Sequence, residues 1–170
     1  MIRRSARDGL VEAAVAANLD DLLAYAERRA VDRGDAADAL GNALEIVWRR
    51  RGKLPEDPLA ARMYLFGVLR RVMLNTNRSR RRGTAAVQRL RVELEAEPSG
   101  DVEMRLDVAA AIAALPCEQA ELVRLVHWDG FSIADAAELL GLNASTARGR
   151  YSTARAALQA ALAEHRRLVR

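Results

Sequence analysis

The chain has 170 residues, of which 51% are hydrophobic and 29% charged, with a net charge of +4; this composition buries a core and excludes a disordered polymer. Cys117 stands alone and His127 and His165 are the only histidines, which excludes an intramolecular disulfide and a zinc-ligand set. No stretch is apolar enough to span a bilayer, and the start, "MIRRSARDGLVEAAVAANLDD", meets Asp8 and Glu12 too early for a signal peptide, so a cytoplasmic chain is expected.

Alanine, leucine and arginine dominate and alternating β-branched runs are absent, so the elements should all be helices. A first helix is expected over about 10–30, with Leu19, Leu22, Leu23 and Ala26 at steps of three and four. A second begins near Asp35, whose carboxylate is placed to cap it, and continues through Ala39, Leu40, Ala43, Leu44, Val47 and Trp48. "RRRGKLPEDP" breaks the chain, and a third helix runs from Pro58 to about Arg82 with Leu65, Val68, Leu69 and Val72 as its core stripe. After a weakly helical stretch, acids and Pro98-Ser99-Gly100 read as a linker. Helical spacing resumes with Val108, Ile112 and Leu115. Pro116 is placed to open the next helix at its first turn, that helix runs to Trp128, and Asp129-Gly130 turns the chain.

The next stretch has the punctuation of a helix-turn-helix. Ser132 with Asp135 is a variant capping box, and Ile133, Ala136, Ala137 and Leu140 mark one buried face. Gly141 ends that helix in the left-handed conformation, and Asn143 caps the next through the amide near Thr146. The turn, Gly141-Leu142-Asn143, has helix-turn-helix length. On the second helix Ala147, Tyr151, Ala154 and Leu158 share the inward stripe. Ser145, Arg148, Gly149 and Ser152 lie opposite, with Arg150 and Arg155 on the flanks. A polar face with a small residue at its centre lets the backbone approach a groove edge while guanidinium groups reach bases or phosphates, so this helix is expected to read a DNA major groove.

Charge is zoned to match. Nine arginines and no acid lie between Ala60 and Val92, eight acids and one base between Glu93 and Glu121, and six arginines against one acid from Ala144 onward. Two basic zones around an acidic stretch suggest two separate polyanion-facing surfaces.

These segments together resemble a known family. "LPCEQAELVRLVHWDGFSIADAAELLGLNASTARGRYSTARAALQAAL" resembles region four of bacterial RNA polymerase sigma factors of the extracytoplasmic-function type, and "DAADALGNALEIVW" with "RMYLFGVLRRVMLNTNRSRRR" resembles region two, in the family's order. The resemblance implies an all-α chain of two small helical domains: 1–82 as region two, an acidic linker at 83–106, and 107–170 as the helix-turn-helix domain, region four. It implies a promoter-specificity subunit, not an enzyme, that needs no cofactor, metal or small-molecule substrate. Its partners would be core RNA polymerase and promoter DNA, with an anti-sigma factor as a regulator and no membrane.

The resemblance also assigns roles. Asp35, Asp38, Leu44 and Trp48 match the segment that docks on the polymerase. Arg70 and Arg71 match phosphate-holding positions of the helix that melts and captures the minus-ten element, while Asn75, Thr76, Asn77 and Arg78 match base-reaching ones. Ser145, Thr146, Arg148, Arg150 and Arg155 match positions that read or grip the minus-thirty-five element. Leu122, Leu125 and Trp128 are candidates for contact with the polymerase flap or an inhibitor. Three positions depart from the family pattern: Gly41 replaces glutamine, Tyr64 tryptophan and Arg71 asparagine. Two alternatives stay open: a dimeric operator-binding factor using the same helix-turn-helix, and an interaction protein that reads no promoter.

Overall fold

Contacts divide the chain into two units, Met1–Leu94 and Glu95–Arg170, in a computed structural model that describes residues 2–81 and 102–168 and the side chains of 6–76 and 108–163. Among the described residues the regular structure is helical throughout.

In the first unit α1 (Ile2–Glu27), α2 (Arg33–Arg49) and α3 (Pro58–Arg81) pack as a three-helix bundle, and a short 3₁₀ turn (Arg51–Lys53) follows α2. α1 starts well before the expected Leu10, and its inward stripe is Val11, Leu22, Tyr25 and Ala26; Leu19 and Leu23 face outward. The stretch around them is apolar on nearly every side, so periodicity alone did not single out the face. Tyr25 decides it by meeting Phe66 of α3 edge to face, with ring centroids 5.3 Å apart. α2 offers Ala36, Ala39 and Ala43, all buried, and these small side chains let its neighbours approach closely. Its cap is Asp32, whose carboxylate accepts from the Asp35 amide at 2.8 Å; Asp35 stands in the first turn. Asp57 caps α3 in the same way through the Ala60 amide, with Pro58 at the first helical position where its missing N–H costs nothing. Leu65, Phe66, Leu69 and Met73 line the core, whereas Val68 and Val72 are only half-buried.

In the second unit α4 (Val102–Ala113), α5 (Cys117–His127), α6 (Ile133–Leu140) and α7 (Ala144–Leu168) enclose a smaller core. The expected linker therefore falls mainly outside the described residues, and its last positions, 102–106, are the opening of α4. Ile112, Ala120, Val123 and Ala154 form one buried cluster with Val108, Leu115 and Leu158 against it. Pro116 is the N-cap of α5, not its first helical residue. Leu122 and Leu125 are fully buried and belong to the core, so of the three apolar residues considered for partner contact only Trp128 presents a surface.

Candidate nucleic-acid interface

The helix-turn-helix geometry is built from its caps. Ser132 Oγ accepts from the Asp135 amide, and the Asp135 carboxylate accepts in return from the Ser132 amide at 3.2 Å, a reciprocal box. Gly141 takes φ +68°, where a side chain would be strained, and its amide bonds back to the last turn of α6. Asn143 Oδ1 then accepts from the Thr146 amide at 2.8 Å and opens α7. Ala136, Ala137, Ala147 and Ala154 are buried where α6 and α7 meet the rest of the unit. Tyr151 completes the inward stripe of α7 by pairing its hydroxyl with His127 Nε2 at 2.8 Å, the two rings lying nearly parallel.

With that stripe inside, the other face of α7 is in solvent. Ser145, Arg148, Gly149, Ser152 and Arg155 are exposed, and Thr146 is half-buried beside the cap. A Cβ added at Gly149 would meet nothing, so the middle of this face is flat and open. Arg150 stands apart from the other arginines: its guanidinium is ion-paired with Glu118 at the start of α5. Sequence reading missed Glu118 because the pair spans 32 residues with no local pattern to signal it.

The first unit carries a second candidate surface along α3. Arg71 and Asn75 are exposed, Arg70 is half-buried, and Thr76, also exposed, donates its hydroxyl back to the Val72 carbonyl at 3.2 Å. Asn77 and Arg78 lie on α3, and their side chains fall outside the described residues. Arg71 and Asn75 share an open groove between α2 and α3 with Ile46, Arg49, Val68 and Val72, giving an apolar floor and a cationic rim. The half-buried state of Val68 and Val72 follows: they are the floor. Arg62, one of the nine arginines of the basic zone, instead turns inward, donating to Asn18 Oδ1 at 2.8 Å and Asp21 Oδ2 at 2.7 Å above the Phe66 ring. It fastens α3 to α1, which a charge count along the sequence cannot distinguish from a surface cation.

On α2, Asp38 and Trp48 are exposed and Asp35 and Leu44 half-buried, so one acid and the indole stand in solvent. Gly41 is exposed on the same helix with open space around the position of a Cβ. Among the described residues no cluster of three metal-ligating side chains occurs, and no helix is long and apolar enough to cross a membrane.

Residues 14–83 match the family Sigma-70 region 2, and residues 105–158 match Sigma-70, region 4. Over 124 residues, 73% of this chain, the sequence is 32% identical to a protein of Mycobacterium tuberculosis named ECF RNA polymerase sigma factor SigM, found in two strains. The chain belongs to the ECF sigma factor family. Its match spans 62% of the length of the SigM proteins. Among solved structures, the sigma factor RpoE of Bartonella quintana, crystallised in complex with the anti-sigma factor NepR, shares this ECF fold with a TM-score of 0.70 at 24% identity, over 89% of this chain and 95% of that one. CnrH, solved in complex with the cytosolic domain of CnrY, gives a TM-score of 0.64 at 22% identity, over 91% and 88% of the two chains.

Proposed function

We propose that the chain is a sigma factor that binds core RNA polymerase and directs promoter-specific transcription initiation. Residues 1–82 act as region two and residues 102–170, from the start of α4, as region four, with the acidic stretch 83–101 between them. The observation that carries this reading is the exposed polar face of α7, with Ser145, Arg148 and Gly149 opposite a buried alanine stripe, in a chain whose regions two and four match in the family's order.

In this reading α7 enters the major groove of the minus-thirty-five element. Arg148 reaches base edges, Ser145 and Thr146 hold the helix start against the backbone, and Arg155 grips a phosphate. Arg150 flanks the same surface, where its ion pair with Glu118 competes with a phosphate for the guanidinium. On α3, Arg70 and Arg71 hold phosphates of the minus-ten element while Asn75, Thr76, Asn77 and Arg78 reach its exposed bases and assist melting. Asp35, Asp38, Leu44 and Trp48 dock on the polymerase, combining charge complementarity with an apolar anchor. An anti-sigma factor is a fitting regulator, since sigma factors of the same fold, RpoE among them, occur in complexes of that kind. The chain works by binding alone: arginine–phosphate contacts supply salt-sensitive affinity, and base contacts supply discrimination of roughly 1–3 kcal/mol each.

The test is transcription from a linear promoter library by core polymerase with and without the chain, with start sites mapped. The reading predicts a set of new start sites sharing two spaced upstream elements. It fails if core polymerase alone uses the same sites equally well.

A further inference from the structure

α1 begins at Ile2, so about three turns of helix precede residue 14, where the region-two match begins. Those turns are fastened to the connection between α2 and α3. Arg7 donates to the Leu54 carbonyl at 3.2 Å and pairs with Glu56 at 3.3 Å, and Val11 and Leu54 are both buried nearby. One position further, Asp8 Oδ1 lies 2.8 Å from Arg51 Nε, an ion pair whose side chains are 30% and 23% exposed. Arg51 then makes two contacts with a single residue, Trp48. Its Nη1 donates to the Trp48 carbonyl at 3.2 Å, and its guanidinium carbon stands 5.7 Å from the centroid of the indole ring.

We infer that Asp8 and Arg51 are positioning residues for Trp48: the first turns of α1 hold the guanidinium, and the guanidinium holds the exposed indole in one orientation for docking. The inference rests on the reading of Trp48 as a polymerase contact. Trp48 lies on the last turn of α2 and is 43% exposed, so its ring would sample several rotamers if nothing held it. Freezing a side chain on binding costs affinity, and a ring already oriented in the free protein avoids that cost. The guanidinium is suited to this because one group can pair with the Asp8 carboxylate, donate to the Trp48 carbonyl and stand over the indole ring at once. Its other anchor is Asp8, which the short sequence around Trp48 does not contain.

The experiment uses the full chain and core RNA polymerase. Affinity is read by displacement of a labelled wild-type chain for Trp48→Ala, Asp8→Asn, Arg51→Gln and Arg51→Lys. Acrylamide quenching in a Trp128→Phe background reports Trp48 alone, and thermal midpoints are recorded throughout. Trp48→Ala should weaken binding about tenfold or more. Asp8→Asn and Arg51→Gln should each weaken it by about two- to fivefold and make Trp48 more easily quenched. Arg51→Lys keeps a cation for Asp8 without the planar face, so it should hold the thermal midpoint yet behave as Arg51→Gln in quenching and affinity. Lower midpoints with unchanged quenching and affinity would make the clamp merely structural and overturn the inference. If Trp48→Ala weakens binding but the Asp8 and Arg51 variants do not, the inference falls and the docking reading stands. If Trp48→Ala is silent, the docking reading falls and takes the inference with it.

Discussion

In the C-terminal unit the helix ends are set by residues three places apart, Ser132 with Asp135 and Asn143 with Thr146, together with the left-handed Gly141 between them. In the N-terminal unit the fastening contacts cross more than forty residues: Arg62 reaches Asn18 and Asp21, and Arg7 reaches Leu54. The start of α7 is thus set by chemistry local to the turn, while the α3 face and the exposed residues of α2 depend on tertiary contacts that exist only once three helices have come together. Damage to a cap should act on one turn; damage to the bundle core should act on the α2 and α3 surfaces together.

The largest effect expected is from Phe66→Ala. It removes the partner of Tyr25 and the platform under Arg62, and should destabilise the N-terminal unit by about 3–5 kcal/mol. Chemical denaturation followed by two probes should show the N-terminal transition shifted and the C-terminal one unmoved; a common shift would mean that the units do not unfold independently. Gly141→Ala comes next, at about 1–2 kcal/mol in the C-terminal unit alone, because φ +68° is costly for a side chain. A neutral result would show that the turn relaxes without loss. Gly41→Ala has the opposite sign: its surroundings are open, so the variant should gain about 0.4–1 kcal/mol in the N-terminal unit. A loss there would mean that the glycine is needed for a reason other than space.

Glu118→Gln should have the smallest effect on stability. The pair is exposed, 36% at Arg150 and 66% at Glu118, and such pairs are worth at most about 1 kcal/mol. Its consequence is on DNA: an Arg150 released to a phosphate steepens the dependence of log affinity on log salt by about 0.9. An unchanged slope would show that Arg150 already grips a phosphate with Glu118 in place.

What could be read from the sequence follows the same division. Ser132, Gly141 and Asn143 announce their roles by residue type and spacing, and the buried alanines of α7 follow from its period, so the helix-turn-helix and its outward face were legible residue by residue. The start of α3 was legible too, because Pro58 has few other places to be. The inward face of α1 was not, since Leu19 and Leu23 compete with Val11, Leu22 and Tyr25 for the core and only packing against Phe66 decides. Nor was the difference between Arg62, a fastener, and Arg71, a surface cation, because both are arginines in one basic run. The cap of α2 was misread by one turn's geometry: Asp32 and Asp35 are both suitable acids, and the one outside the helix accepts the bond. Ion pairs such as Asp8 with Arg51 and Glu118 with Arg150 join distant positions and leave no periodic trace.

The central claim is that the outward face of α7 reads duplex DNA in the service of a polymerase. Its most direct test is the preference of the polymerase-bound chain for an intact upstream element over one carrying a single base change, measured for the wild type and for Arg148→Ala at one salt concentration. If Arg148 reads a base edge, the variant should lose about 1–3 kcal/mol of that preference, a loss of roughly 5- to 150-fold, at one base position and keep it elsewhere. A variant that discriminates every position as the wild type does would contradict the account.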